Sequence, residues 1–370
     1  MTLLLAFILA VLPPDFGSTP VDSVNLEVEN FMKKWKLRGM QIAAIKDGEI
    51  VLERAYGWAD VNCGRHMSPD NTMRIASASK LITAAGIMKL KDEGLLKLND
   101  KVFGEDGILS DYNKYIRDRR YRDITVENLL RHEAGFSQKG GDPMFSGRRG
   151  ADNEELLCRE LARPLAFAPG TSMEYSNLGF LLLSMVIEKM GGRDYESWIQ
   201  ENLLKPAGIT DMRIAHNGAS ERYPEEVHYY TDNGDEERCY GRNDIRSLSG
   251  AGAWTASATD LCIFASAIDG RDGVRDVISP ESVFEMTCWY DPYTYSLGWN
   301  DTNPEKGWTR TGSYSGTSAL IWYFPEGDCW ALITNTSSWK GSRFSRNTKR
   351  LMSCIRQKFI NLQNNQNSIQ

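Results

Sequence analysis

Ser77 and Lys80 stand three residues apart at the head of a stretch that reads as a helix from Ser77 to about Glu93, with Gly94 as its stop. A serine hydroxyl is a poor nucleophile at neutral pH and needs a base beside it. Residues i and i+3 share a helix face, so an amine at 80 can meet an oxygen at 77. The helix N-terminus also favours negative charge developing there. Ser-x-x-Lys by itself is weak, since a chain of this length holds roughly one or two by chance. A second match, Ser337 to Lys340, follows a predicted strand; with no long helix expected behind it, it is read as the chance one. Two further groups carry chemistry. Tyr175-Ser176-Asn177 follows Pro169-Gly170; a tyrosine beside cations can accept or relay a proton, and Asn177 offers a donor and an acceptor to a substrate amide. Arg310-Thr311-Gly312-Ser313 leads into a predicted strand. Arg310 suits a substrate carboxylate, and Gly312 lets substrate approach the backbone. The N–H groups of Ser313 and Ser77 would pair as oxyanion donors. Taken alone, the first group reads as a chance match, the second as an ordinary surface turn with Tyr175 as packing, and the third as a loop between strands.

Taken together, the order Ser-x-x-Lys, Tyr-x-Asn, basic-x-Gly resembles the serine β-lactamase and penicillin-recognising enzyme superfamily. The Tyr-x-Asn form points to the branch of class C β-lactamases, D-alanyl-D-alanine carboxypeptidases, D-aminopeptidases and related esterases. Ile124 to Phe136, Pro169-Gly170, and Ser249 to Gly252 with Thr259-Asp260-Leu261 are similar to further segments of that family. The likeness covers about residues 24–359. It implies a two-step acyl transfer. Ser77 attacks a carbonyl, and Lys80 and Tyr175 move its proton as a coupled pair whose base stays open. Ser77 and Ser313 N–H hold the oxyanion, Asn177 orients the acyl side chain, and Arg310 meets a negative group. No metal and no organic cofactor is implied. One departure matters: the family usually has Lys or His where Arg310 stands. Arginine keeps the charge but cannot share a proton, which disfavours a dedicated β-lactamase. The expected activity is therefore that of a D-alanyl-D-alanine carboxypeptidase-like peptidase or an esterase. The alternatives are a β-lactamase proper and a catalytically retired penicillin-binding or sensor module. A Ser-His-Asp hydrolase fits poorly, since the four histidines (66, 132, 216 and 228) accompany no Gly-x-Ser-x-Gly elbow, and His132 is read as a satisfied structural histidine.

The elements that must bring these groups together follow from periodicity. Val24 to Trp35 reads as a helix; Gln41 to Ile45 and Glu49 to Tyr56 read as strands joined by Asp47-Gly48, a hairpin signal. Between about residues 96 and 249 helical patterns prevail, at Thr125 to Arg131, Glu154 to Leu161, Leu178 to Met190 and Tyr195 to Leu204. Strand patterns return at Thr317 to Tyr323 and Cys329 to Asn335, and Ser345 to Phe359 closes as a helix. The expected fold class is α/β (α+β), β-lactamase-like. Its antiparallel sheet is built from both chain ends (21–95 and 250–360) and flanked by helices, with a mostly helical region (96–249) inserted. Residues 361–370 read as a frayed polar tail. The apolar run Leu3 to Leu12 before Pro13-Pro14 reads as a signal peptide within 1–20, which implies a secreted or periplasmic protein. It is too short to span a bilayer, and no stable membrane span is expected after its removal. A net charge of −6 and no basic stripe give no reason to expect nucleic acid; the expected partner is a small molecule or peptide, including one with a carboxylate. Seven cysteines without CxxC spacing argue against a zinc ribbon; in an exported protein some of them would pair. Specificity is assigned to loops, chiefly Gln138 to Asn153 and Glu221 to Glu237.

Overall fold

The computed structural model describes residues 20–145, 153–231, 233–234, 237–240, 244–288, 295–338 and 340–367. The expected leader lies outside these residues apart from Pro20. So do parts of the two specificity loops, at 146–152 and at 232, 235 and 236. Helices run over α1 (Pro20–Trp35), α2 (Ser79–Asp92), α3 (Val126–Leu130), α4 (Asn153–Leu161), α5 (Asn177–Gly191), α6 (Tyr195–Ile199), α7 (Glu237–Tyr240), α8 (Ser249–Gly252), α9 (Ala258–Ser266), α10 (Pro280–Thr287) and α11 (Gly341–Asn367). Strands are β1 (Gly39–Lys46), β2 (Glu49–Asp60), β3 (Arg65–His66), β4 (Met73–Arg74), β5 (Arg213–Ile214), β6 (Tyr230–Thr231), β7 (Trp254–Ala256), β8 (Asp301–Asn303), β9 (Gly307–Tyr314), β10 (Thr317–Tyr323), β11 (Asp328–Thr334) and β12 (Thr336–Ser337).

The main sheet is antiparallel with order β3-β2-β1-β11-β10-β9-β8, so strands from the two ends of the chain meet at its centre. Ala43 pairs with Ala331, and Ala331 with Ile321. The Asp47-Gly48 hairpin has φ values of 51° and 79°, the left-handed pair that a two-residue turn between twisted strands requires. Both faces of the sheet are covered, which is why β1 and β11 read as continuous apolar runs rather than alternating ones. On one face Ile42, Ala44, Leu320 and Leu332 pack with Val28 and Trp35 of α1 and Leu351 and Ile355 of α11. On the other, Ala43, Ile45, Ile321 and Ile333 pack with Leu261 and Phe264 of α9 and onward to α2 and α5. The fold is thus α/β with an antiparallel sheet drawn from both chain ends and flanked by helices.

Several details differ from expectation. The helical middle also contributes strands: β5 joins β4 and β7 in a small sheet, and β6 pairs parallel with β12. Two-residue strands carry no periodicity, so no pattern could announce them. The last helix extends to Asn367 rather than fraying at 361. A long helix does follow Lys340, so that argument against the second Ser-x-x-Lys fails. Its Ser337 instead lies in β12, where its oxygen accepts the Gly316 N–H at 2.9 Å. Cys63, Cys158, Cys262, Cys288, Cys329 and Cys354 carry free thiols, so the expected pairing is not seen among them.

One buried acid gives a stability prediction. Asp269, 8% exposed, accepts the Tyr323 hydroxyl at 2.6 Å and the Arg271 N–H at 2.8 Å. Burial pushes its pKa up to about 6. A raised carboxyl pKa means the native state binds the extra proton, so stability falls as pH rises from the unfolded value through about 6. Asp269→Asn is expected to gain up to about 3 kcal/mol at pH 8 and almost nothing at pH 4. Denaturant titrations at the two pH values would show it; equal shifts at both would refute the assignment.

Candidate active site

Ser77 lies in a 3₁₀ turn, Ala76–Ala78, that hands the chain from β4 to α2. The residue before it, Ala76, has φ of 48°, a left-handed conformation that costs a non-glycine residue about 1–2 kcal/mol. Tertiary contacts hold the turn. The Ile75 N–H donates to Trp254 O at 2.9 Å, and β9 presses against the turn so closely that a Cβ on Gly312 would sit 2.0 Å from Ile75 O. Gly312 therefore admits the nucleophile's own turn, where substrate approach had been expected. Ser313 beside it is exposed.

Lys80 is fully buried one turn along. Its Nζ lies 3.4 Å from Ser77 Oγ and donates to Asn177 Oδ1 and Ala251 O, each at 2.6 Å. Burial, helped by the nearby Arg310 guanidinium, pushes its pKa well below the usual lysine range, against an opposing pull from the Asp142 carboxylate. The Tyr175 hydroxyl donates to Ser77 Oγ at 3.0 Å from the other side. The hydroxyl and the amine, three residues apart, thus meet a phenol that lies 98 positions from Ser77 in the sequence.

Tyr175 is delivered by a loop stitched to the 132–135 turn. Glu174 N–H donates to His132 O, and Ser176 N–H donates to His132 Nδ1 at 3.1 Å. Ser176 then caps α5 by accepting the Gly179 N–H. The His132 ring lies 4.4 Å from that of Tyr175. Burial beside Lys80 and Arg310 keeps it neutral, with its pKa well below the ordinary value. The expectation of a satisfied histidine holds at Nδ1 only, since Nε2 is buried without a hydrogen-bond partner.

Arg310 departs most from expectation. It is fully buried. Its Nε donates to Ser77 O at 2.8 Å, its Nη2 to the same oxygen at 2.5 Å, and its Nη1 to the Tyr295 hydroxyl at 2.8 Å. The guanidinium is turned under the nucleophile and does not face the cleft as a carboxylate receptor. Asn177 also has both ends engaged, since its Nδ2 donates to Asp142 Oδ2 at 2.7 Å. Of the aromatic residues near the site, Trp299 is buried and Trp308 stacks on Tyr323, so both pack. Tyr314 meets Phe145 at 6.0 Å, and Phe145 is exposed.

Asp142 and Tyr295 are the site residues that sequence reasoning missed. Asp142 fell inside a loop named for specificity, but nothing singled it out; Tyr295 had no signal at all. Among the described residues no cluster of His, Cys, Asp and Glu could hold a metal ion.

Comparison with known proteins gives the family and the fold of the chain. Penicillin-binding protein 4* of Bacillus subtilis (strain 168) is 28% identical over a 322-residue alignment that covers 79% of this chain and 66% of that relative, so the chain spans just under two thirds of its length. The D-amino acid amidase of Ochrobactrum anthropi SV3, solved with L-phenylalanine amide, superposes with a TM-score of 0.72 at 20% identity, over 93% of this chain and 99% of that one. D-alanine carboxypeptidase AmpC of Burkholderia cenocepacia superposes with a TM-score of 0.71 at 20% identity, over 90% and 99%. Likeness to these two solved structures is likeness of fold. The Beta-lactamase family model matches residues 24–352, nearly the whole described chain, and the protein belongs to that family of hydrolases.

Proposed function

We propose that this protein is a serine hydrolase that acts through an acyl-enzyme on an amide or ester carbonyl, as a peptidase or esterase and not as a dedicated β-lactamase. The observation that carries the reading is Ser77 Oγ held between Lys80 Nζ at 3.4 Å and Tyr175 Oη at 3.0 Å.

The hydrogen-bond arithmetic around Lys80 favours it as the acylation base. A neutral amine has two hydrogens and one lone pair. Asn177 Oδ1 and Ala251 O take both hydrogens, which leaves the lone pair for the Ser77 hydroxyl. The depressed pKa keeps the amine neutral where a free lysine is charged. Tyr175, donating to the same oxygen, is placed to pass a proton to the leaving group and to activate the water that clears the acyl-enzyme. The N–H groups of Ser77 and Ser313 are assigned the oxyanion. Arg310 acts as a positioning residue that clamps the Ser77 carbonyl. Since its guanidinium neither gives up a proton nor faces the cleft, it takes no part in proton transfer.

Export remains part of the proposal, supported by the apolar run Leu3 to Leu12. Among the described residues no helix is long and apolar enough to cross a membrane. The test is rapid mixing with a nitrophenyl ester, a cephalosporin and a D-Ala-D-Ala peptide, each followed by mass spectrometry of the quenched protein. An acyl adduct on the peptide bearing Ser77, with turnover of ester or peptide faster than cephalosporin, is expected. Fastest turnover of the cephalosporin would make it a β-lactamase; no adduct with any substrate would leave a retired binding module.

A further inference from the structure

We propose that Thr83 and Tyr195 are positioning residues for acylation. With the Trp254 indole they form a one-way hydrogen-bond chain that fixes the Gly250 carbonyl, and through it the neighbouring Ala251 carbonyl that holds the Lys80 amine. This rests on the reading of Lys80 as the base above. Lys80, Thr83, Tyr195, Ala251 and Trp254 are all buried.

The direction of the chain follows from its two ends. An indole N–H can only donate, and a carbonyl can only accept. Trp254 Nε1 donates to Tyr195 Oη at 3.0 Å. Tyr195 Oη lies 2.7 Å from Thr83 Oγ1, which lies 2.7 Å from Gly250 O. Thr83 has one hydroxyl hydrogen. Were it given to Tyr195, or to Ser79 O at 3.3 Å, two bare oxygens would face each other across the 2.7 Å gap to Gly250. It therefore goes to Gly250 O, and Tyr195 donates to Thr83. Burial lifts the Tyr195 pKa above the ordinary phenol range, so the phenol keeps its hydrogen.

The chain pins a segment that touches the head of α2 repeatedly. Ala251 O accepts Lys80 Nζ at 2.6 Å. The Trp254 N–H donates to Ser79 Oγ at 3.2 Å, and Trp254 O accepts the Ile75 N–H at 2.9 Å. A Cβ on Gly250 would meet Phe180 O at 2.4 Å, so the segment also packs closely on α5. Thr83 stands one turn beyond Lys80 on α2. One helix thus carries both the amine and the hydroxyl that sets the place of its acceptor. A methyl in place of that hydroxyl would stand roughly 3.3–3.6 Å from the carbonyl oxygen and push the segment off. A misplacement of about 1 Å at a catalytic group costs roughly a hundredfold in rate.

The experiment is a double-mutant cycle on single-turnover acylation by a nitrophenyl ester, with Thr83→Val and Lys80→Met alone and combined. T83V is expected to slow acylation roughly 10- to 100-fold in the wild-type background. On top of K80M it should cost about threefold or less, because the two act through one group. Thr83→Ser, which keeps the hydroxyl, should recover most of the rate. Tyr195→Phe removes the donor to Thr83 and should show a smaller loss with the same coupling. Thermal melts confirm that each variant is folded. Wild-type rates in T83V or Y195F overturn the proposal. So do losses that multiply with that of K80M, as a merely structural role would give. If K80M itself acylates as fast as wild type, the reading of Lys80 beneath the proposal has failed.

Discussion

Ser77→Ala is expected to lower kcat/KM for a nitrophenyl ester by roughly ten-thousand-fold or more while leaving the fold intact. Ser77 Oγ touches Lys80 Nζ and Tyr175 Oη and holds no backbone group in place. Removing it leaves Lys80 with two carbonyl acceptors and Tyr175 with its partly exposed hydroxyl open to water. The melting temperature should therefore shift by only a degree or two while turnover and probe labelling vanish together. Steady-state hydrolysis and gel fluorescence after an acylating probe read the two quantities. Retained turnover in the folded variant would place the chemistry on another residue.

Lys80 carries the second large effect. Lys80→Met, which keeps the volume and loses the amine, is expected to cost about a thousand-fold in the acylation rate, within the usual range for a general base. Lys80→Arg tells proton acceptance from mere charge, since a guanidinium stays protonated; a comparable loss is expected there. The pH profile supplies the sign. Acylation needs the neutral amine, whose pKa lies well below the ordinary lysine value. The wild-type rate should fall as pH drops through that depressed pKa, and the limb should be missing from the residual rate of K80M. Single-turnover acylation measured across pH would decide it. An identical acid limb in K80M would assign the titration to another group and move the base to Tyr175.

The chemistry was legible where it is local. Ser77 and Lys80 face each other because one helical turn separates them, and spacing alone predicts that. The Asp47-Gly48 hairpin and the two apolar strand runs follow equally from short-range pattern, and with them the sheet drawn from both chain ends. What stayed hidden depends on contacts across long separations. Arg310 reads as a cation beside a glycine, which suits a substrate carboxylate. Its true direction is set by Ser77 O, 233 positions away, and by a tyrosine hydroxyl that no motif marks. Asp142 matters only because Asn177 lies 2.7 Å from it, a contact between a loop and a helix start. β5 and β6 escaped notice because two residues cannot display a period.

The central position of β11 in the sheet has a consequence for the order of biosynthesis. A ribosome releases Ser77 and Lys80 some 230 residues before the strand that carries Arg310. Until that strand and its two successors emerge, β1 and β2 have only the two-residue β3 beside them, and so small a sheet is marginal in water. Pairing across so long a loop is slow. Before Trp254 and β9 emerge the left-handed Ala76 turn lacks both of its braces, so a chain truncated ahead of them carries the nucleophile without the geometry that would make it reactive.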